Sequence, residues 1–130
     1  MLRTLLLLVG ILVASTANAG SILKTEKLAK NVYALVGPIT NRDANNLGNN
    51  ANFGVIVTNQ GVVLIDSGGT YKGAQMIHNK IKEITEQPVV LVINSGGQDH
   101  RWLGNNYFKS LGAKIIASEK AVIDHKARLQ

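Results

Sequence analysis

Three short apolar runs constrain this chain more than any other feature: residues 53–58 (FGVIVT), 62–66 (VVLID) and 89–94 (VVLVIN). They are rich in β-branched residues, brief, and bounded by turn residues, so they read as strands. Asn59-Gln60-Gly61 separates the first two, a hairpin spacing in which Gly61 supplies the positive φ. The second and third stay apolar until Asp66 and Asn94, the pattern of strands buried on both faces. Between them, Ala74, Ile77, Ile81 and Ile84 recur at near-helical spacing, with Lys72, Asn79, Lys80 and Glu83 largely elsewhere. That spacing predicts a helix over about 71–85, closed by Pro88.

The flanks extend the alternation. Residues 31–36 (NVYALV) predict a first strand, stopped by Gly37-Pro38, behind a polar lead-in at 21–30. Residues 37–52 are the most loop-like stretch, with Asn at 41, 45, 46, 49, 50 and 52. Asn tolerates left-handed backbone and bonds locally, so the cluster favours turns; it reads either as an inert polar loop or as the lining of a site. A glycine-rich turn at 95–100 is followed by a short helical piece around 102–111 and a strand at 113–117. Ser118 then caps a final helix, with Glu119 against its positive end. Strands alternating with helices behind a hairpin predict an α/β fold.

The first 19 of the 130 residues stand apart. Arg3, an apolar run over 5–13 and Ala17-Asn18-Ala19 form the pattern of a cleaved export signal. The run falls short of the roughly 20 residues that span a bilayer. The expectation is therefore a periplasmic or secreted domain over 20–130, with no membrane partner after cleavage. The absence of Cys excludes disulfides, thiolate nucleophiles and Cys-ligated metals. Lys and Arg (14) outnumber Asp and Glu (8), but the surplus is spread without a basic run. It reads as a solubilising surface, and no nucleic-acid partner is expected.

In α/β sheets ligands gather beyond the carboxyl ends of the strands. Two segments fit. One is Asp66-Ser67-Gly68-Gly69; the other runs from Asn94 to Asn105 and sets Asp99, His100 and Arg101 side by side. Neither carries a G-x-G-x-x-G or Walker spacing, and no G-x-S-x-G elbow occurs. Each candidate has a plain structural role beside the functional one. Asp66 can cap a turn, Asp99 can open a helix next to a surface imidazole, and Arg101 is by default solvated. Trp102 reads as core, while His78 and His125 read as ordinary helix residues.

The residues 48–69 (GNNANFGVIVTNQGVVLIDSGG), then a helix, then an apolar strand ending in Asn94-Ser95, resemble the opening half of the metallo-β-lactamase superfamily. In that family a hairpin leads into an L-I-D-T/S-G strand end, and the next strand ends in N-T-H-x-H-x-D-H-x-x-G-N, which carries zinc ligands. The resemblance covers about residues 30–125 and implies the N-terminal half of a four-layer αββα sandwich. It makes Asp66 the acid supporting the metal loop.

The departures are as informative as the match. Aligned without gaps, Gly96 and Gln98 stand where the two His of H-x-H belong, His100 falls on the motif Asp, and Arg101 on its last His. A shifted alignment keeps Asp99 and His100 as the D-H pair. Gly has no side chain, and neutral Gln is a poor zinc ligand. The resemblance thus leaves Asp99 and His100 as metal residues, with Asp99 also the catalytic candidate and Asp66 supporting them from behind. An active protein of this kind uses a zinc-bound hydroxide to hydrolyse an ester, thioester or amide of a small-molecule substrate. The alternative is a non-catalytic periplasmic binding or accessory module with a degenerate metal site. The resemblance also implies one sheet whose second, apolar face is left uncovered, and hence self-association through that face.

Overall fold

The computed structural model of the chain describes residues 22–129. The expected export signal, 1–19, lies outside the described residues. Six strands form one mixed sheet in sequence order: β1 (Lys24–Ala29), β2 (Val32–Val36), β3 (Asn52–Thr58), β4 (Gly61–Ile65), β5 (Val89–Asn94) and β6 (Lys114–Ala117). The first four pair antiparallel; β4–β5 and β5–β6 pair parallel. Helix α1 (Tyr71–Ile84) connects β4 to β5, while α2 (Asp99–Trp102) and α3 (Asn105–Ser110) connect β5 to β6. Helix α4 (Glu119–Ala127) follows β6.

The hairpin is built as its residues dictate. Asn59-Gln60 make the turn between Thr58 and Gly61, which are paired, and Gly61 takes φ 129°. Thr58 Oγ1 donates to the Gly61 carbonyl at 2.7 Å and pins the corner. Helix α1 starts at Thr70, whose side chain accepts from Gly73 N at 2.9 Å, satisfying one of the free donors of the first turn. Ser118 caps α4 in the same way, accepting from Ala121 N.

Because β4, β5 and β6 are laid down successively in one direction, crossovers of one hand place α1 and α3 on the same face. Ala74, Ile77 and Ile81 of α1 and Tyr107 and Phe108 of α3 pack there against Leu35, Phe53, Val55, Val62, Leu64 and Val92. The register puts Val63, Ile65, Leu91 and Ile93 on the other face, where they are only half-buried, and Ile116 beside them is exposed. A shallow apolar groove of about 320 Å³ lined by Leu28, Ala34, Gly54 and Ile56 continues this face toward β1. The reading of 62–66 and 89–94 as strands buried on both faces is therefore corrected: among the described residues only one face is covered. No helix among them is long and apolar enough to cross a membrane.

Two further expectations change. The polar lead-in at 21–30 contains β1, an edge strand whose six residues are all exposed and which is held to β2 by backbone pairing alone. The single helical piece at 102–111 is two short helices. They break at Leu103-Gly104 because Gly104 must lie against the Ser67 carbonyl, where a Cβ has no room.

Candidate functional site

The turns after β4 and β5 meet beyond the carboxyl ends of these parallel strands. Strand β4 ends in Asp66, a non-glycine residue at φ 66°, a conformation Asp tolerates better than most. The kink turns its carboxylate toward β5, and its side chain is 5% exposed. Asp66 Oδ1 accepts from Ser95 N at 2.7 Å, and Oδ2 accepts from Ser95 Oγ at 2.7 Å and from the Arg101 guanidinium at 3.0 Å. A buried carboxylate with three donors, one of them charged, is fully satisfied.

Arg101 is the hub of the second turn. Its guanidinium bonds Asp66, the Ser95 hydroxyl and, through Nε, Gln98 Oε1 at 2.6 Å. Its carbonyl accepts from Asn94 Nδ2 at 2.6 Å and from Ser67 N at 3.0 Å. Its side chain is 32% exposed, so the default reading of a solvated arginine is corrected: ion pairing and loop closure hold it. Asn94 and Asn105, the first and last residues of the segment, exchange two amide hydrogen bonds of 3.0 and 2.8 Å and close the loop on itself. Gly104 N donates to the Gly68 carbonyl at 2.9 Å, and the two turns are joined backbone to backbone.

Asp99 and His100 lie on α2 at the outer side of this loop. Asp99 Oδ2 accepts from Arg42 at 2.8 Å, and its Oδ1 stands 3.6 Å from Arg128. The Arg42 hydrogen bond holds the Asp99 carboxyl below its ordinary range, although partial burial opposes the shift. His100 is half-buried, and burial, followed by the nearby Arg101 charge, makes its ring harder to protonate. Both residues therefore sit at the same strand end as Asp66. The Asp99 carboxylate is committed to arginines from the 37–52 loop and the C-terminal end of α4.

Asp99 and His100 gain no third metal donor among the described residues. Gly96 offers no side chain, and Gln98 is turned to Arg101. Among the described residues no three His, Asp or Glu side chains gather in a way that could hold a metal ion. A catalytic zinc needs about three protein ligands, and the described residues do not by themselves fit one. Helix α4 closes the loop from outside: His125 Nε2 bonds the Gly96 carbonyl at 3.0 Å, and its ring stacks on Trp102 with centroids 4.5 Å apart. Trp102 is thus half-buried under α4 rather than in the main core.

The sequence reading passed over several of these residues. Arg42 and Arg128 lie 57 and 29 positions from Asp99 and gave no local signal. Asn49 had one, as part of the Asn cluster: it is buried, donates to the Gly73 carbonyl at 2.9 Å and accepts from Gly69 N at 3.4 Å. The 37–52 loop thereby braces the turn after β4.

No family model matches the chain. Among solved structures it is similar to a metallo-β-lactamase from Pontibacter korlensis, at 20% identity and a TM-score of 0.64. It is likewise similar to a metallo-β-lactamase from Hirschia baltica, at 15% identity and the same TM-score. Each likeness covers 82% of this chain and 48% of the other, so the chain spans about half the length of the structures it matches. The chain has a metallo-β-lactamase-like fold, represented here by one mixed sheet and the helices on one of its faces.

Proposed function

We propose that this chain is an exported, non-catalytic binding or accessory module that keeps a metallo-β-lactamase-like fold without its metal chemistry. One observation carries the reading: at the strand ends where the family places zinc, both carboxylates are spent on arginines. Asp66 is paired with Arg101 and Asp99 with Arg42 and Arg128, while Gly96 and Gln98 stand at the positions of two ligands. A carboxylate between two guanidiniums is a poor metal ligand, because a divalent ion must displace its charge partners before binding. Export rests on the leader pattern of residues 1–19.

The second reading, metal-dependent hydrolysis of an ester, thioester or amide, draws support from the fold and from Asp99 and His100 side by side on α2. Hydrolysis assays on the full chain, with zinc and with chelator, separate the two. The module reading expects no turnover above background in either condition and no zinc retained after dialysis. Hydrolysis abolished by chelator, restored by zinc and lost in Asp99→Ala/His100→Ala overturns it.

A further inference from the structure

We infer that Arg101 is a built-in positioning residue that holds the loop after β5 in its folded form without a metal ion. The inference deepens the non-catalytic reading above and rests on it. A metal in a loop of this kind works as a cross-link, drawing side chains distant in sequence onto one centre. Arg101 supplies that cross-link through hydrogen bonds from a side chain of the protein itself. Its guanidinium spans the start of the loop at Ser95, the middle at Gln98 and the neighbouring strand end at Asp66. The planar fork of donors in arginine suits this task, since several acceptors are met from one rigid group. Its own carbonyl is held by Asn94 and Ser67, so the residue is fixed at both main chain and side chain.

Charge balance points the same way. Arg42, Arg101 and Arg128 stand against Asp66 and Asp99, and Asp124, lying against Gly97, evens the count at three to three. The loop lacks the surplus of negative charge that attracts a divalent cation. It also lacks an unpaired buried carboxylate that would need one, because each oxygen of Asp66 already accepts.

The test is a thermal-melting series on the full chain, run in EDTA and in zinc chloride, with a double-mutant cycle between Arg101 and Asp66. The wild-type Tm is expected to agree within about 1 °C in the two conditions. Arg101→Ala is expected to lower Tm by about 5–10 °C in both. Arg101→Lys restores the charge but reaches fewer acceptors, so it recovers part of that loss and covers the case in which the alanine variant fails to fold. Asp66→Asn combined with Arg101→Lys is expected to melt close to the lower of the two single variants, since both remove one linkage. Additive losses in that cycle, or an Arg101→Ala variant that melts like wild type, overturn the inference and leave the non-catalytic reading standing. A wild-type Tm that falls in EDTA also overturns it. Chelator-sensitive hydrolysis with an unmoved Tm overturns the non-catalytic reading instead and spares the Arg101 linkage.

Discussion

The turn after β4 and the turn after β5 lie side by side, each carries an acid, and the two acids are treated oppositely. Asp66 is buried, sits in left-handed backbone, and organises the neighbouring turn through Ser95 and Arg101. Asp99 is 24% exposed on the first turn of a four-residue helix, and two arginines from distant segments tie it down from outside. The first acid is structural by geometry: its hydrogen bonds are short and made to backbone as well as side chains. The second is a surface ion pair, whose worth is screened by water. Two acids at neighbouring strand ends thus differ in role: the inner one organises the turn, and the outer one is held in surface pairing.

The contact between the two turns should break most completely at Gly104→Ala. The new Cβ meets the Ser67 carbonyl and the Ala74 side chain, so α2 and α3 must lift from the turn after β4. A loss of about 3 kcal/mol in denaturant unfolding is expected. A variant with wild-type stability would show that the close approach is dispensable. Asp66→Ala comes next, at about 2–4 kcal/mol, because it leaves the Arg101 guanidinium and the Ser95 amide without their acceptor. Asp66→Asn keeps a residue tolerant of left-handed backbone and should cost less, which separates the charge from the kink.

Asp99→Ala should cost under about 1 kcal/mol at neutral pH, the range of an exposed pair. The Arg42 hydrogen bond holds its carboxyl below the ordinary 3.8, so its contribution is full above that pH and disappears as pH falls through the lowered folded value. If Asp99→Ala proves as costly as Asp66→Ala, the division between inner and outer acid is wrong. The smallest expected effect lies away from both turns, at His78, whose Nδ1 meets the Tyr107 hydroxyl at 2.8 Å beneath α1. Burial, with Lys82 adding to it, lowers its affinity for a proton below the ordinary 6.5. The unfolded chain then binds the proton more readily, so stability is full above about pH 6.5 and declines below it. Melting curves at pH 7.5 and 5.5 should show a drop that is smaller in His78→Gln.

Much of the fold was legible because hydrophobic period and turn chemistry are local. The residues 89–94 match β5, Tyr71 starts α1 as its spacing requires, and Ser118 caps α4. Strand β1 was not legible: Lys24, Thr25, Glu26 and Lys27 bury nothing, and only pairing with β2 makes them a strand. The split between α2 and α3 escaped for a similar reason, since Gly104 is required by a carbonyl 37 positions earlier. At the site, Asp66, Asp99, His100 and Arg101 could all be picked out as residues beyond strand ends. Their partners could not, because an ion pair between Arg42 and Asp99 leaves no trace in either local segment.

By itself, the sequence determined the strand–helix alternation, the hairpin and the acid at the end of the strand at Asp66, and it sets Gly96 and Gln98 where the resemblance expects two metal ligands. These follow from side-chain volume, backbone freedom and donor chemistry, which each residue carries with it. Only the tertiary structure decided which charges meet. It set Arg101 across Asp66 and Ser95, gave Asp99 to Arg42 and Arg128, and brought α4 over the glycine turn. Electrostatic partnership depends on distances of a few ångströms between segments far apart in the chain, and the packing of helices against one face of the sheet is what fixes those distances.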